Sequence, residues 1–324
     1  MNKTLRVCFL GLMLLGVSPL FAQYKAYSLP DKKGLLRITP GQLGTADVQL
    51  VDDDNQLRAK WEASSLGLYM TAFVQNAEKP GGSKVLRDTW WPQTERIITG
   101  AAKIKDKRLY EKGDVALVEY IVPKIQGRDI NQKHVHAYVA GGDIWAEVHI
   151  SKVEFKAEDQ GMFDAIVDSI SIVPDYVNNS RDYWRFGAIA SNRGDYRKTA
   201  DYFQRSLDLD KSTPVLDKAI FRKMMAELGY LYQKLGDLPK AQSTLEYGIS
   251  KHPDYAILHY NLASVFAERA QLDQTLEELR LAYKYKNSLS GDDVRFPDPL
   301  TDKYFAALAS DQKFVTAVRQ MQQQ

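Results

Sequence analysis

The stretch LGYLYQKLGDLPKAQSTLEYGISKHP at residues 228–253 decides the fold of the C-terminal half of the chain. Its apolar residues recur every three or four positions on both sides of Gly236-Asp237, which is typical of two helices joined by a tight turn. A spacing of 34 residues separates Leu245 from Leu279. A fixed period of this length predicts a stack of helix–turn–helix units in which each unit covers the apolar face of its neighbour.

Small residues recur where the two helices of each unit would meet, at Gly187, Gly229 and Ala263. Together with the period, they make the sequence resemble the tetratricopeptide repeat (TPR), with three TPR-like repeats over 182–287. The resemblance implies an all-α superhelical array that binds other proteins. The first repeat departs from the pattern, because Gly187 and Gly229 lie eight residues further apart than the period, which fits a longer loop near 211–218.

Residues 288–324 are predicted to cap the array. Asp302 and Asp311 each precede an apolar stretch and are typical helix-capping residues, so two further helices are expected there, after a rigid lead-in at 296–299. Five side chains of this segment are expected to pack on the last repeat: Tyr304, Phe305, Leu308, Phe314 and Val318.

Residues 23–174 alternate in the manner of strands and predict an α+β domain, an antiparallel sheet with a few helices. Strands are expected at 66–74 and 115–122, and a hairpin is expected around the Gly141-Gly142 pair. A helix near 83–91 should end before Pro92, and its Trp90-Trp91 pair is interpreted as core packing, with a pocket lining as the alternative. A linker at 175–181 separates this domain from the repeats.

The end of this domain, from Val115 to Val173, reads as strand, hairpin, helix at 158–169 and short strand. This order, together with phrases such as GGDIWAEVHIS and FDAIVDSISIV, resembles the PsbP-like α-β-α sandwich domains. The resemblance implies a small adaptor or assembly domain, not an enzyme.

Residues 1–22 are interpreted as a secretory signal peptide, because positive residues precede a short apolar core that ends at a small residue. Lys3 and Arg6 account for the whole excess of 43 basic over 41 acidic residues, and Cys8 is the single cysteine. The mature protein would therefore be neutral and thiol-free, exported to the periplasm of a bacterial envelope or secreted, with no membrane span after cleavage. A neutral chain does not favour nucleic-acid binding.

The resemblance to TPR proteins also implies where a partner would bind, since the first helix of each repeat lines the groove of such arrays. Aromatic residues there are either anchors for a partner or packing between repeats, and both interpretations stay open. Trp184 and Ala188 stand where chaperone-binding members hold a carboxylate with Lys and Asn, which argues against that role. The predicted groove residues are Arg181, Trp184, Asn192, Lys223, Tyr230, Gln233, Lys234, Tyr260 and Glu268.

The hairpin carries a second candidate site. If Gly141-Gly142 is a two-residue loop, His134 faces His149 and His136 faces Glu147, all on one side of the sheet. Three imidazoles and a carboxylate suit zinc or copper. The favoured interpretation is nevertheless a polar face without metal, and no cofactor is predicted.

No motif for a hydrolase nucleophile, a nucleotide-binding loop or a metalloprotease occurs in the sequence. We therefore predict a non-enzymatic adaptor, scaffold or assembly protein that binds a protein or peptide through its repeats. The alternative is an N-terminal domain that binds a small ligand or metal, with the repeats serving for oligomerisation.

Overall fold

A computed structural model describes residues 24–51, 53–77, 81–289 and 297–323. The predicted signal peptide at 1–22 and the first residue of the predicted lead-in at 296–299 lie outside these described residues. The chain forms two compact units, one ending at Asn178 and the other beginning at Asn179. The first unit thus extends a few residues beyond the predicted end at 174.

The described part of the first unit contains strands and two α-helices. Its strands are β1 Lys25–Tyr27, β2 Leu35–Ile38, β3 Asp47–Val51, β4 Gln56–Ala63, β5 Leu68–Asn76, β6 Lys105–Lys112, β7 Val115–Ile125, β8 Arg128–Gly141, β9 Ile144–Lys152 and β10 Ser171–Val173. Its α-helices are α1 Ser83–Ala101 and α2 Gln160–Ser169.

The strands form two sheets whose pairings are antiparallel. Seven of them make one sheet in the order β3-β4-β5-β9-β8-β7-β6, and three make a smaller sheet in the order β1-β2-β10. The prediction of an α+β domain built on an antiparallel sheet is confirmed. The predicted order of strand, hairpin, helix and short strand between 115 and 173 is also observed.

Opposite faces of the large sheet pack against different elements, as the period of two along a strand dictates. On one face, Leu86 and Trp91 of α1 join a buried cluster that includes Tyr120 and Tyr138. On the other face, the Trp61 ring lies 5.7 Å from the ring of Tyr27, edge to face, so the small sheet covers that side. Successive residues along one strand therefore contribute in turn to the layer under α1 and to the layer under the small sheet.

The prediction that helix α1 ends before Pro92 is wrong. The helix continues through Pro92 to Ala101, although a proline in a helix interior costs about 3 kcal/mol because it lacks an amide hydrogen. Leu86 and Trp91, which both precede Pro92, are almost fully buried, and Ile98 beyond Pro92 packs against the same cluster. Burial of a large apolar side chain stabilises by about 1.5–3 kcal/mol, so packing on the sheet outweighs the local penalty.

The second unit is helical over its described residues. Its α-helices are α3 Ser180–Asn192, α4 Tyr196–Ser212, α5 Lys218–Lys234, α6 Leu238–Lys251, α7 Ala256–Glu268, α8 Leu272–Lys284 and α9 Gln312–Gln322. The first six pack as antiparallel pairs, α3 with α4, α5 with α6 and α7 with α8. This is the predicted all-α TPR-like array.

The array begins slightly earlier than expected. Asn179 caps α3, and its side chain accepts hydrogen bonds from the backbone amides of Arg181 and Asp182. The Asp182 carboxylate reaches back to the Asn179 amide at 3.0 Å and completes a capping box. The predicted linker at 175–181 is therefore shorter by its last two residues.

Two glycines let the paired helices approach closely, as expected from the spacing. A Cβ atom at Gly187 would lie 2.4 Å from the ring of Phe203, and one at Gly229 would lie 2.5 Å from two Leu245 atoms. Real Cβ contacts do not reach such distances, so these positions accept only glycine while the facing side chain keeps its place.

Two helices form within the predicted capping segment. A 3-10 helix at Lys303–Leu308 and helix α9 begin at Asp302 and Asp311, whose side chains accept hydrogen bonds from the amides of Tyr304 and Phe314. Phe305, Leu308, Phe314 and Val318 are buried, and Tyr304 packs against the same cluster. No helix within the described ranges is long and apolar enough to cross a membrane.

Candidate functional site

The first helices α3, α5 and α7 carry the predicted partner-binding residues. We call their shared surface the first-helix face; it is defined by the nine residues predicted from the sequence. Within each helix, successive members lie three, seven or eight positions apart, except for the adjacent Gln233 and Lys234, and these spacings place most of them on one side of the helix. The structure separates them into exposed and buried members.

Trp184 and Tyr230 are the half-buried aromatic residues of this face. The Trp184 indole packs against a buried core to which all three repeats contribute, and the rest of its surface stays accessible. The Tyr230 ring meets Tyr304 edge to face, with ring centroids 5.8 Å apart. Burial is the main cause of the raised pKa of Tyr230. Both rings therefore serve packing and still present area to solvent.

Lys234 is exposed at the end of α5 and lies above two tyrosine rings. Its Nζ is 3.3 Å from the ring centroid of Tyr196 and 6.0 Å from that of Tyr230. A cation over an aromatic face gains roughly 0.5–1 kcal/mol at an exposed site, so the ammonium is held near the surface and remains available to an anion.

Gln233 differs from its expected role. It is buried, its side-chain oxygen accepts a hydrogen bond of 3.0 Å from Ser264 Oγ, and its Nε2 donates to Glu268 Oε1 at 3.3 Å. Partial burial raises the pKa of Glu268, while the bond from Gln233 acts in the opposite direction. Gln233 thus joins the second and third repeats, and Glu268 is the exposed member of the pair.

Tyr260 is corrected from a partner anchor to an internal contact. It is 3% exposed, its hydroxyl donates to Asp302 Oδ2 at 2.8 Å, and its ring packs 5.4 Å from Phe305. Burial first, and then the Asp302 charge, raises its pKa. The capping segment of the same chain occupies this part of the first-helix face, which the repeat alignment did not reveal.

The remaining predicted residues lie at the surface. Arg181 Nη2 is 3.5 Å from Asp217 Oδ2 and donates to the Val215 carbonyl at 3.4 Å. Lys223 is half-exposed, and Asn192 is exposed at the last position of α3. The exposed part of the first-helix face therefore contains Arg181, Trp184, Asn192, Lys223, Tyr230, Lys234 and Glu268.

Sequence reasoning missed two polar residues between repeats. The Glu227 carboxylate accepts a 2.7 Å hydrogen bond from Ser191 Oγ, and burial raises its pKa. Asn261 Nδ2 donates to the Ala226 carbonyl at 2.9 Å. Asn261 follows the predicted Tyr260 directly, and Glu227 lies three residues before the predicted Tyr230. The signal that could have found them was a polar residue on the side of the helix that faces an adjacent repeat.

The histidine hairpin has a different register from the expected one. Its loop is Gly142-Asp143, so His136 pairs with His149 and Tyr138 pairs with Glu147. Positive φ occurs at Gly142, the first loop position, as in two-residue turns that need glycine there. A shift of two residues keeps each side chain on its face, and so the predicted grouping survives the wrong pairing.

Diagonal contacts bring the four predicted residues together. His134 Nδ1 lies 3.0 Å from His149 Nε2, and His136 Nδ1 lies 2.8 Å from Glu147 Oε1. Because a carboxylate only accepts, His136 Nδ1 donates to Glu147, and the His136 Nε2 lies 3.2 Å from the Tyr120 hydroxyl. These contacts join the polar groups to one another inside the domain, while the buried His134 Nε2 has no hydrogen-bond partner among the described residues.

The ring geometry does not favour a metal. The rings of His136 and His149 stack with centroids 4.1 Å apart and an interplanar angle of 9°, and His134 is parallel to His149 within 9°. Stacked rings direct their nitrogen lone pairs sideways and in parallel, not toward a common point. Across the ranges that the structure describes, no group of three or more His, Cys, Asp or Glu residues is arranged to hold a metal ion.

Burial controls the protonation of this cluster. It lowers the pKa of His134 to about 3, with a smaller contribution from His136, and it lowers the pKa of His149 well below the usual value. The rings of His134 and His149 are therefore neutral at neutral pH. This cluster is a buried polar network whose stability depends on pH.

No protein-family model matches the chain, and no curated protein sequence is significantly similar to it. The resemblance of 115–173 to PsbP-like domains accordingly stays a prediction.

Solved structures similar to this chain include TPR proteins. The match to MamA has 16% identity and a TM-score of 0.29 and covers 34% of this chain and 60% of that one, less than two thirds of its length. YrrB, described as a TPR protein with an unusual peptide-binding site, has 18% identity, a TM-score of 0.30 and coverages of 40% and 60%. PcrH from Pseudomonas aeruginosa has 15% identity, a TM-score of 0.30 and coverages of 44% and 91%. Identities this low transfer neither a partner nor an activity.

Proposed function

We propose that the protein is a non-enzymatic adaptor that binds a peptide segment of a partner protein on the exposed part of the first-helix face. The observation that carries this proposal is the combination of half-exposed Trp184 and Tyr230 with the cation of Lys234 on successive first helices. Rigid aromatic rings bury much area at small entropic cost and are enriched among residues that dominate binding.

The chemistry of the bound segment is suggested by the capping segment of this chain. Asp302 and Tyr304 contact Tyr260 and Tyr230 of the first-helix face through a carboxylate and an aromatic ring. The exposed cation of Lys234 favours the same chemistry in a partner, because an acidic group can pair with it. We therefore propose a partner segment that combines acidic and aromatic residues.

Selection of peptides from a random library displayed on phage, using the full-length protein as bait, tests this function. We expect enriched peptides rich in Asp, Glu and aromatic residues, and we expect Tyr230→Ala and Lys234→Ala each to weaken their binding at least tenfold. The exposed Leu209 lies on α4, away from this face, so Leu209→Ala is the matched control. Enrichment without loss of binding in the two variants would contradict the proposal.

We also propose that the protein is exported, on the basis of the sequence of residues 1–22. The expected mature chain begins at Gln23 and is recovered from the periplasm or the medium. N-terminal sequencing of the fractionated protein checks this, and Lys3→Glu with Arg6→Glu should slow processing because the positive n-region is lost. An intact Met1 in the exported fraction would contradict cleavage.

A further inference from the structure

A cleft lies on the large sheet beside helix α1, where the strands extend past the edge of the helix. Its volume is about 210 Å³. The sheet contributes one row of paired residues on four adjacent strands, and α1 contributes the facing wall. The cleft residues used below are Arg58, Phe73, Trp90, Tyr138, Trp145 and Glu147.

The strand register places the floor of the cleft in line. Arg58 of β4 pairs with Phe73 of β5, Phe73 pairs with Glu147 of β9, and Glu147 pairs with Tyr138 of β8. Neighbouring strands lie about 4.8 Å apart, so these four side chains form a continuous row. The row is set by backbone hydrogen bonds and is therefore rigid.

Aromatic rings form the apolar surface of the cleft. Trp90, on α1, is 38% exposed and meets Trp145 edge to face at 5.7 Å with an interplanar angle of 82°. The Arg58 guanidinium lies 4.9 Å from the Phe73 ring centroid. The interpretation of Trp90-Trp91 as core packing thus holds for Trp91, whereas Trp90 lines the cleft.

Both hydrogen-bond donors and hydrogen-bond acceptors border these rings. The Tyr138 hydroxyl and the Trp145 indole Nε1 are buried and have no hydrogen-bond partner of normal geometry among the described residues. Glu147 lies close enough to add to the effect of burial in raising the pKa of Tyr138. Glu147 Oε1 already accepts from His136, so Glu147 supplies an acceptor through its other oxygen, and Arg58 supplies charged donors. Buried polar groups are normally satisfied, so the two orphaned donors point to a ligand that carries acceptors.

We propose that this cleft binds one neutral sugar unit, either free or at the end of an oligosaccharide. Sugar hydroxyl groups both donate and accept, which matches the mixture of Trp145 and Tyr138 donors with the Glu147 acceptor. Their C–H faces are apolar enough to lie against Trp90 and Phe73. Arg58 and Glu147 balance in charge, which disfavours a simple anion or cation. The volume is below the roughly 300–1,000 Å³ of drug-sized ligand pockets, so one ring fits and a long chain does not.

The test uses the full-length protein and the methyl glycosides of glucose, galactose, mannose and N-acetylglucosamine. Binding is followed by tryptophan fluorescence, since Trp90 and Trp145 line the cleft, and by saturation-transfer NMR. We expect a saturable signal with at least one glycoside. We expect Trp90→Ala and Arg58→Ala each to weaken it at least tenfold, and Trp145→Phe, which removes only the indole donor and part of the ring, to weaken it severalfold.

Ile97 provides the matched control, because it lies on the same helix as Trp90, is 69% exposed and does not line the cleft. Ile97→Ala should bind as the wild type does, and circular dichroism should show every variant folded. The proposal is overturned if no glycoside gives a saturable signal, if Trp90→Ala binds equally well, or if only sodium acetate or tetramethylammonium chloride binds.

Discussion

Replacement of Gly229 by valine lowers the free energy of unfolding of the helical array by about 2–3 kcal/mol, the upper part of the usual cost of overpacking a core. A Cβ atom at this position would lie 2.5 Å from two Leu245 atoms, and Leu245 is itself fully buried. Neither helix of the second repeat can move aside without disturbing the repeats packed on both sides. We expect the loss in urea denaturation followed by far-ultraviolet circular dichroism.

Alanine at position 229 distinguishes the steric clash with Leu245 from the effect of helix propensity. Alanine in place of a helical glycine usually stabilises by about 0.8–1 kcal/mol. At Gly161, in α2, an added Cβ meets nothing within 4 Å, so Gly161→Ala should be stabilising. Gly229→Ala should be destabilising, although Gly229 lies in the interior of α5 and its propensity gain is at least as large as that at Gly161, the second residue of α2. A stabilised Gly229→Ala protein would show that the helices do not depend on this close approach.

Repetition explains why the helical unit could be predicted from the sequence. A 34-residue period constrains helix positions, turns and the small contact residues at once, and Gly229 against Leu245 is one consequence. The N-terminal unit offered only local alternation, which predicts strands and faces but not partners. Pro92 shows the limit, because a local rule against helix was outweighed by the burial of Trp91 in a tertiary contact.

For both candidate sites, the sequence predicted which side of a strand or helix each residue lies on, but not which groups it contacts. A pairing register wrong by two residues still placed His134, His136, Glu147 and His149 on one side of the sheet. Ring orientation was not predictable, and it decides that these groups bond to one another. Tyr260 occupied the expected face of α7, but the segment that covers it lies 42 residues further along the chain. Alignment of repeats carries no information about such a contact.

The N-terminal unit loses stability as the pH falls from about 6.5 toward 3, because His134 and His149 bind protons in the unfolded chain and not in the folded one. Burial lowers the pKa of His134 to about 3 from an ordinary value of 6.5. Between these values the unfolded state holds the extra proton, so the free energy of unfolding rises with pH by about 1.4 kcal/mol per pH unit for each such group. Above pH 6.5 the two histidines make their full contribution to the free energy of unfolding, and this contribution no longer changes with pH.

Urea denaturation between pH 4 and pH 7 measures this slope, with tryptophan fluorescence as the readout because four of the five tryptophans, all except Trp184, lie in the N-terminal unit. In the wild type the ring centroids of His134 and Tyr120 lie 4.8 Å apart. His134→Phe keeps an aromatic ring that can stack on Tyr120 and removes one titrating group. We expect its slope to fall by about 1.4 kcal/mol per pH unit relative to wild type. His252→Gln, in the helical array, should leave the slope unchanged. Equal slopes for wild type and His134→Phe would mean that His134 is not held neutral, since carboxylate titration is common to both proteins and cancels in the comparison.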